Sequence, residues 1–357
     1  MRQSSGSEIK VKERQHFLDI LRVMATCAVV LLHTVTGVMD NADMSLYPLE
    51  QKIFLAVRDL ACWCVPVFLL ISGYLFLNPG RELTFGQVIH KYCKRVLLAL
   101  FLFGIPYALI EMAATEGSLR RSMIRQSIVR VLRGESWSHM WYLYLIFFLY
   151  LLTPAIRWGL KRLPKAAVYG ILAVLFVCSS ILPFFKALWG LSLWTLPGDS
   201  IYLFYYLCGY LFACREKWGS KVFPMLSGLA VVLAAGMTIS RAAGFPVQMA
   251  YNYPFIVLLA LCLFGAGLAR ERNRETEGQQ QTAKKNTVFW ESATELCFAV
   301  YLIHPVFLNL AYKYFNVTPL SFFVGVSLPM FFLSTLLLSA ACAWILWKIP
   351  LLRKYVL

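Results

Sequence analysis

Two residues in the stretch LDILRVMATCAVVLLHTV, residues 18–35, have types and spacing suited to chemistry: Arg22 and His33, eleven positions apart. On a helix, eleven steps of about 100° end about 20° from whole turns, so the two side chains share one face. Asp19, three before Arg22, and Thr26, four after it, fall on the same face. A guanidinium offers a planar fork for phosphate or carboxylate. An imidazole is the side chain best suited to take a proton near neutral pH. The helix would hold the two roughly 16 Å apart along its axis. That is an anion grip at one end of a polar stripe and a base at the other.

The rest of the stretch is apolar enough to cross a bilayer, where a charged side chain costs at least ~2.5–3.5 kcal/mol. The stripe must therefore face a bundle interior or a water-filled cleft. Other residues fall at matching depths. Of the five histidines, His139 opens the fourth apolar run and His304 lies well along the ninth, which places both level with His33. At the Arg22 level, the segment KYCKR brings Lys91, Lys94 and Arg95, all suited to phosphate. Glu291 and Glu295 begin the ninth run, with Glu295 deep enough to need a partner. Arg58 and Asp59 open the second run, and the sequence leaves open whether they pair or stay at the interface.

The elements that position these residues are membrane helices. The chain has 357 residues and is 59% apolar, against about 45–50% for a soluble domain. Apolar runs at roughly 17–38, 53–77, 92–112, 139–158, 167–184, 198–214, 222–240, 251–269, 288–312 and 319–347 are long enough to span, the sixth being short. The expected fold is all-α, a polytopic bundle of about ten transmembrane helices. Residues 1–16 and 348–357 would be cytoplasmic tails around a membrane domain over 17–347, with no cleavable leader. The net charge of +16 does not indicate nucleic acid, because most Lys and Arg sit in alternate short loops. That pattern puts both termini inside. One segment breaks it. SLRRSMIRQSIVRVLRG, residues 118–134, carries Arg120, Arg121, Arg125, Arg130 and Arg133 and lands outside. It reads as an amphipathic helix in the membrane interface, an anchor or a cradle for an anionic acceptor. Residues 270–287 read as a polar inside loop. The ten cysteines read as small apolar fillers, with no metal site and no disulfide framework.

Four motifs in order carry a resemblance. LDILRVMATCAVVLLH resembles the R-x₁₀-H signature of the acyltransferase-three family of integral membrane O-acyltransferases, which includes bacterial polysaccharide O-acetyltransferases. VPVFLLISGYLF, residues 65–76, looks like that family's Ser-Gly motif, HMWYLYLIFFLYLLTP, residues 139–154, like its W-Y-L segment, and YLIHP, residues 301–305, like its Y-L-x-H-P. Lys91 and Lys94 stand where many members have R-x-x-R. The resemblance implies transfer of an acyl group, usually acetyl, from cytoplasmic acyl-CoA to a hydroxyl of an extracytoplasmic glycan or lipid-linked cell-envelope acceptor. It implies a bacterial cytoplasmic-membrane location and no bound cofactor, with acyl-CoA as co-substrate. His33, Arg22 and Asp19 would be catalytic. Arg22, Lys91, Lys94, Arg95 and Ser72 would face the donor. His139, Trp141, Tyr142, Glu295, Tyr301 and His304 would support the acceptor side. The partners would be acyl-CoA, the acceptor and the bilayer, with a homodimer left open. A secondary transporter with an ion relay built from the same intramembrane Asp, Arg, Glu and His is the alternative from another class. A non-enzymatic membrane sensor is a third.

Overall fold

The computed structural model describes residues 15–215, 219, 221–276 and 284–357. The tail expected over 1–16 and the polar loop expected over 270–287 lie partly outside the described residues. Helix α1 is His16–Asn41. Helices α2, Pro48–Ala61, and α3, Cys64–Phe76, make one passage interrupted at Cys62 and Trp63. The short α4, Phe85–Gln87, continues through a π turn at Val88–Cys93 into α5, Lys94–Glu116. Then come α6, Ser122–Arg133, and α7, Trp141–Arg162. Helix α8, Lys165–Phe176, passes through a second π turn, Val177–Ile181, into α9, Leu182–Trp189. The chain continues with α10, Ser200–Cys214, α11, Val222–Ala242, α12, Pro254–Thr276, α13, Lys284–Asn309, α14, Val324–Trp347, and α15, Pro350–Tyr355.

Among the described residues there is no strand, and nine helical passages are long and apolar enough to cross a membrane. The sixth expected span, α10, has only 15 residues, about 22 Å of helix against ~30 Å of hydrocarbon. Several spans start elsewhere than their apolar runs suggest, two of them at capped turns. The third begins at Phe85, because Thr84 and Gln87 form a reciprocal capping box upstream of the apolar run. The last begins at Val324, because Pro319–Ser321 forms a separate capped turn.

The bundle is pinned in two places. Helices α3 and α10 are in backbone contact. A Cβ on Gly73 would stand 1.9 Å from the Tyr206 carbonyl oxygen, and one on Gly209 would stand 2.5 Å from the Leu70 oxygen. The glycine of the Ser-Gly motif is thus a packing requirement, and it fixes how Ser72 is presented. The second pin is ionic. Asp59, 2% exposed, receives Arg241 Nη2 at 2.6 Å and Nε at 3.0 Å on one oxygen. Its other oxygen takes the Met249 amide at 3.2 Å and Arg58 Nη1 at 3.3 Å. The question left open by the sequence is therefore settled as a buried network joining α2 to the end of α11 and the loop after it.

Helix α6 has a buried face and an exposed one. Met123, Ser127 and Val131 are buried. The Tyr144 hydroxyl donates to the Val131 carbonyl, and Val131 fits against Gly104 of α5. Ile124, Ile128 and Leu132 are exposed, and the exposed Arg121, Arg125 and Arg133 share that outer side with them. Such a helix suits a headgroup boundary. It lies at the histidine end of the bundle, since Gly104 also faces Met140, beside His139.

Candidate active site

The α1 stripe forms as its spacing predicts. Arg22 Nη1 reaches Asp19 Oδ1 at 3.3 Å, and Asp19 is 1% exposed behind it. Thr26 returns its hydroxyl proton to the Arg22 carbonyl at 2.8 Å, which satisfies it within the helix. His33 Nδ1 lies 2.9 Å from the Val29 carbonyl. A carbonyl only accepts, so Nδ1 carries the proton and the neutral ring presents the lone pair of Nε2.

Three histidines meet at one depth. The His33 ring is 4.9 Å from His304 and 6.4 Å from His139, and His139 and His304 are 5.8 Å apart, centroid to centroid. The YLIHP segment shows how His304 is held. Pro305 has no N–H, so the Tyr301 carbonyl four residues back lacks its helical donor. His304 Nδ1 takes that place at 2.8 Å. The Tyr301 hydroxyl donates to the His139 carbonyl, which ties the start of α7 to α13. Tyr107 stacks on Trp137 at 4.1 Å and donates to the Leu302 carbonyl at 2.7 Å, closing the cluster from behind. The Nε2 atoms of His139 and His304 are buried with no hydrogen-bond partner among the described residues.

A cavity of about 610 Å³ runs from this cluster toward the other end of α1, and both Arg22 and His33 line it. Its aromatic wall includes Tyr142, Trp141, Tyr251 and Tyr301. Ser72 also faces it, as does Tyr150. Of the residues singled out in the sequence, Arg22, His33, Ser72, Arg95, His139, Trp141, Tyr142, Glu295 and Tyr301 line this one space. Asp19 and His304 stand directly behind it.

Three of the singled-out residues are placed otherwise than their spacing suggests. Lys91 and Lys94 do not line the cavity. They lie on the exposed side of their helix, against the rings of Tyr92 and Tyr355. Arg95, one residue after Lys94, lines the cavity instead. Glu295 is exposed at the cavity wall, so it is hydrated and needs no buried partner.

Sequence reasoning also missed residues. Arg81 and Arg353 line the cavity, as do Tyr92, Tyr150 and Trp347. Arg81 is held by the Leu75 carbonyl at 3.1 Å and the Tyr92 hydroxyl at 2.5 Å. Arg157 fixes the turn that carries it, donating to the carbonyls of Phe76, Asn78 and Arg81 at 2.7, 3.1 and 2.7 Å. In the sequence these arginines are indistinguishable from loop charges obeying the membrane charge rule.

The bundle thus carries imidazoles at one end of an internal cavity and arginines at the other. The chain belongs to the acyltransferase-3 family: that family's model, described as an acyltransferase domain, matches residues 15–348. It is a multi-pass membrane acyltransferase. No curated protein and no solved structure matches it.

Proposed function

We propose that this acyltransferase moves an acetyl group from cytoplasmic acyl-CoA to a hydroxyl on an extracytoplasmic glycan or lipid-linked cell-envelope acceptor. The observation that carries the reading is the shared cavity of Arg22 and His33, about 16 Å apart along α1. A donor with phosphates at the arginine end and a reactive acyl group at the histidines needs an arm of that order. The pantetheine arm of coenzyme A is of that order. The charge pattern of the loops supports an arginine end on the cytoplasmic side, where acyl-CoA is found. The setting that fits is a bacterial cytoplasmic membrane.

In this mechanism His33 Nε2 takes the proton of the acceptor hydroxyl, and the oxygen attacks the thioester carbonyl. The C–O bond forms and the C–S bond breaks. The imidazolium returns its proton to the departing sulfur, giving the ester and CoA thiol. Val29 holds the tautomer that leaves Nε2 free. Asp19 orients Arg22, whose fork grips donor phosphate. Ser72, Tyr142 and Tyr301 shape the passage, and Trp141 offers a flat apolar face to a sugar ring. No bound cofactor takes part.

The test is thiol release by purified protein given acetyl-CoA, with and without a hydroxyl-bearing envelope glycan. Acceptor-dependent release supports the reading. Proton- or ion-driven solute uptake in vesicles with no thiol release would replace it with the transporter.

A further inference from the structure

The C-terminal helix α15 was not expected to reach the cavity, yet Arg353 and Leu357 line it together with Trp347 at the end of α14. The Arg353 guanidinium lies over the Trp347 ring, 3.9 Å from its centroid. Val356 and Leu357 are buried, and Arg95 Nε donates to the Val356 carbonyl at 3.0 Å. Lys94 and Lys354 both lie against the Tyr355 ring. The tail is thus folded onto the arginine end of the bundle. Lys94 lies beside the tail.

Four arginines from four separate segments converge on this part of the cavity: Arg22, Arg81, Arg95 and Arg353. Asp19 answers Arg22. Among the described residues no ion pair joins Arg81, Arg95 or Arg353 to a carboxylate, and the acidic side chain on the lining is Glu295. Arginines gathered around one cavity repel one another. An anionic ligand relieves that cost, and several forks gathered around one space suit a ligand with more than one phosphate.

Resting on the acyl-CoA reading above, we propose that α15 is a working wall of the donor site. In it, Arg353 and Arg81, with Arg95 and Arg22, bind the phosphates of the nucleotide end of the donor. Trp347 holds the Arg353 guanidinium flat, so that its fork is preset. The arm of the donor then runs past Ser72 toward His33.

The test compares two donors of the full chain in detergent: acetyl-CoA, and acetyl-pantetheine, which carries the same thioester and arm without phosphates. Arg353→Gln should lower kcat/KM for acetyl-CoA roughly ten- to hundredfold, the scale of one charge-assisted hydrogen bond, and leave acetyl-pantetheine unchanged. Arg353→Lys should fall between, since it keeps charge but not the fork. Arg81→Gln serves as the second variant, with the same split expected. Equal losses with both donors would overturn the proposal in favour of a purely structural tail. No loss with either donor would overturn it as well. If wild-type protein turns over acetyl-pantetheine and acetyl-CoA equally well, the phosphate site is refuted while acyl transfer stands. If it uses neither, the acyl-CoA reading itself fails.

Discussion

The imidazole rings of His33 and His304 lie 4.9 Å apart, and each commits its Nδ1 to a carbonyl of its own helix. Two rings locked in the same tautomer therefore leave two Nε2 lone pairs at one place. Of these two, His33 lines the cavity, as His139 does, while His304 is 0% exposed behind it. His33→Ala should reduce acyl transfer at least ~10²-fold, the usual scale for a general base. His304→Gln should cost less. Both should elute as wild type in size-exclusion chromatography. A folded His33→Ala protein with full activity would remove His33 from the chemistry.

Arg22 combines a buried orienting carboxylate with a place on the cavity wall. Arg22→Lys keeps the charge and loses the planar fork, so the KM for acetyl-CoA should rise. Lys91→Ala should leave that KM within about twofold, because exposed charges interact weakly through water. Steady-state kinetics on the two variants decide the matter. A larger effect at Lys91 than at Arg22 would reverse the assignment.

Gly73 meets the Tyr206 carbonyl so closely that any Cβ overlaps it. Gly73→Ala must push α3 away from α10, and α3 carries Ser72. The expected result is a large loss of thermal stability in detergent, with little folded protein recovered. A Gly73→Ala protein melting as wild type would mean that this helix contact is looser than described.

Asp59 neutralises Arg241 in a buried site away from the cavity. Asp59→Asn leaves the Arg241 charge buried and unanswered, a loss on the order of 3–5 kcal/mol. The melting temperature should fall, while activity per folded molecule measured at low temperature should change little. Loss of turnover in protein that is still folded would instead tie this network to catalysis.

The position of α6 tests the topology. Ser122 is exposed at its start, so Ser122→Cys should react with a membrane-impermeant thiol reagent in intact cells if the histidine end faces outward. Protection in intact cells with labelling after lysis would invert the orientation. Neutralising Arg120, Arg121 and Arg125 together should weaken use of an anionic acceptor more at low salt than at high salt, since screening sets in beyond ~8 Å at physiological ionic strength.

The sequence by itself determined the helices and the face that α1 turns inward. Long apolar runs leave few alternatives in a bilayer, where backbone groups must bond within their own segment. A charge and an imidazole eleven residues apart can share a buried stripe only on one side of a helix. The level of His139 and His304 followed from the same counting, because a span of fixed length converts sequence position into depth. Tertiary structure decided the rest. Which of Lys94 and Arg95 lines the cavity depends on how the third passage packs, which the apolar pattern does not encode. Pro305 reads as a helix breaker in the sequence, and only in the packed helix does the carbonyl it leaves free become the anchor for His304. Arg81 and Arg353 sit 272 positions apart in segments that resemble ordinary loop charges, and only the return of α15 onto the bundle puts them on one cavity. Charge patterning follows the membrane's sides and is blind to which loops meet. That choice belongs to packing, to contacts such as Gly73 against Tyr206 and Arg95 against Val356, which set the distance between helices and the place where the tail comes to rest.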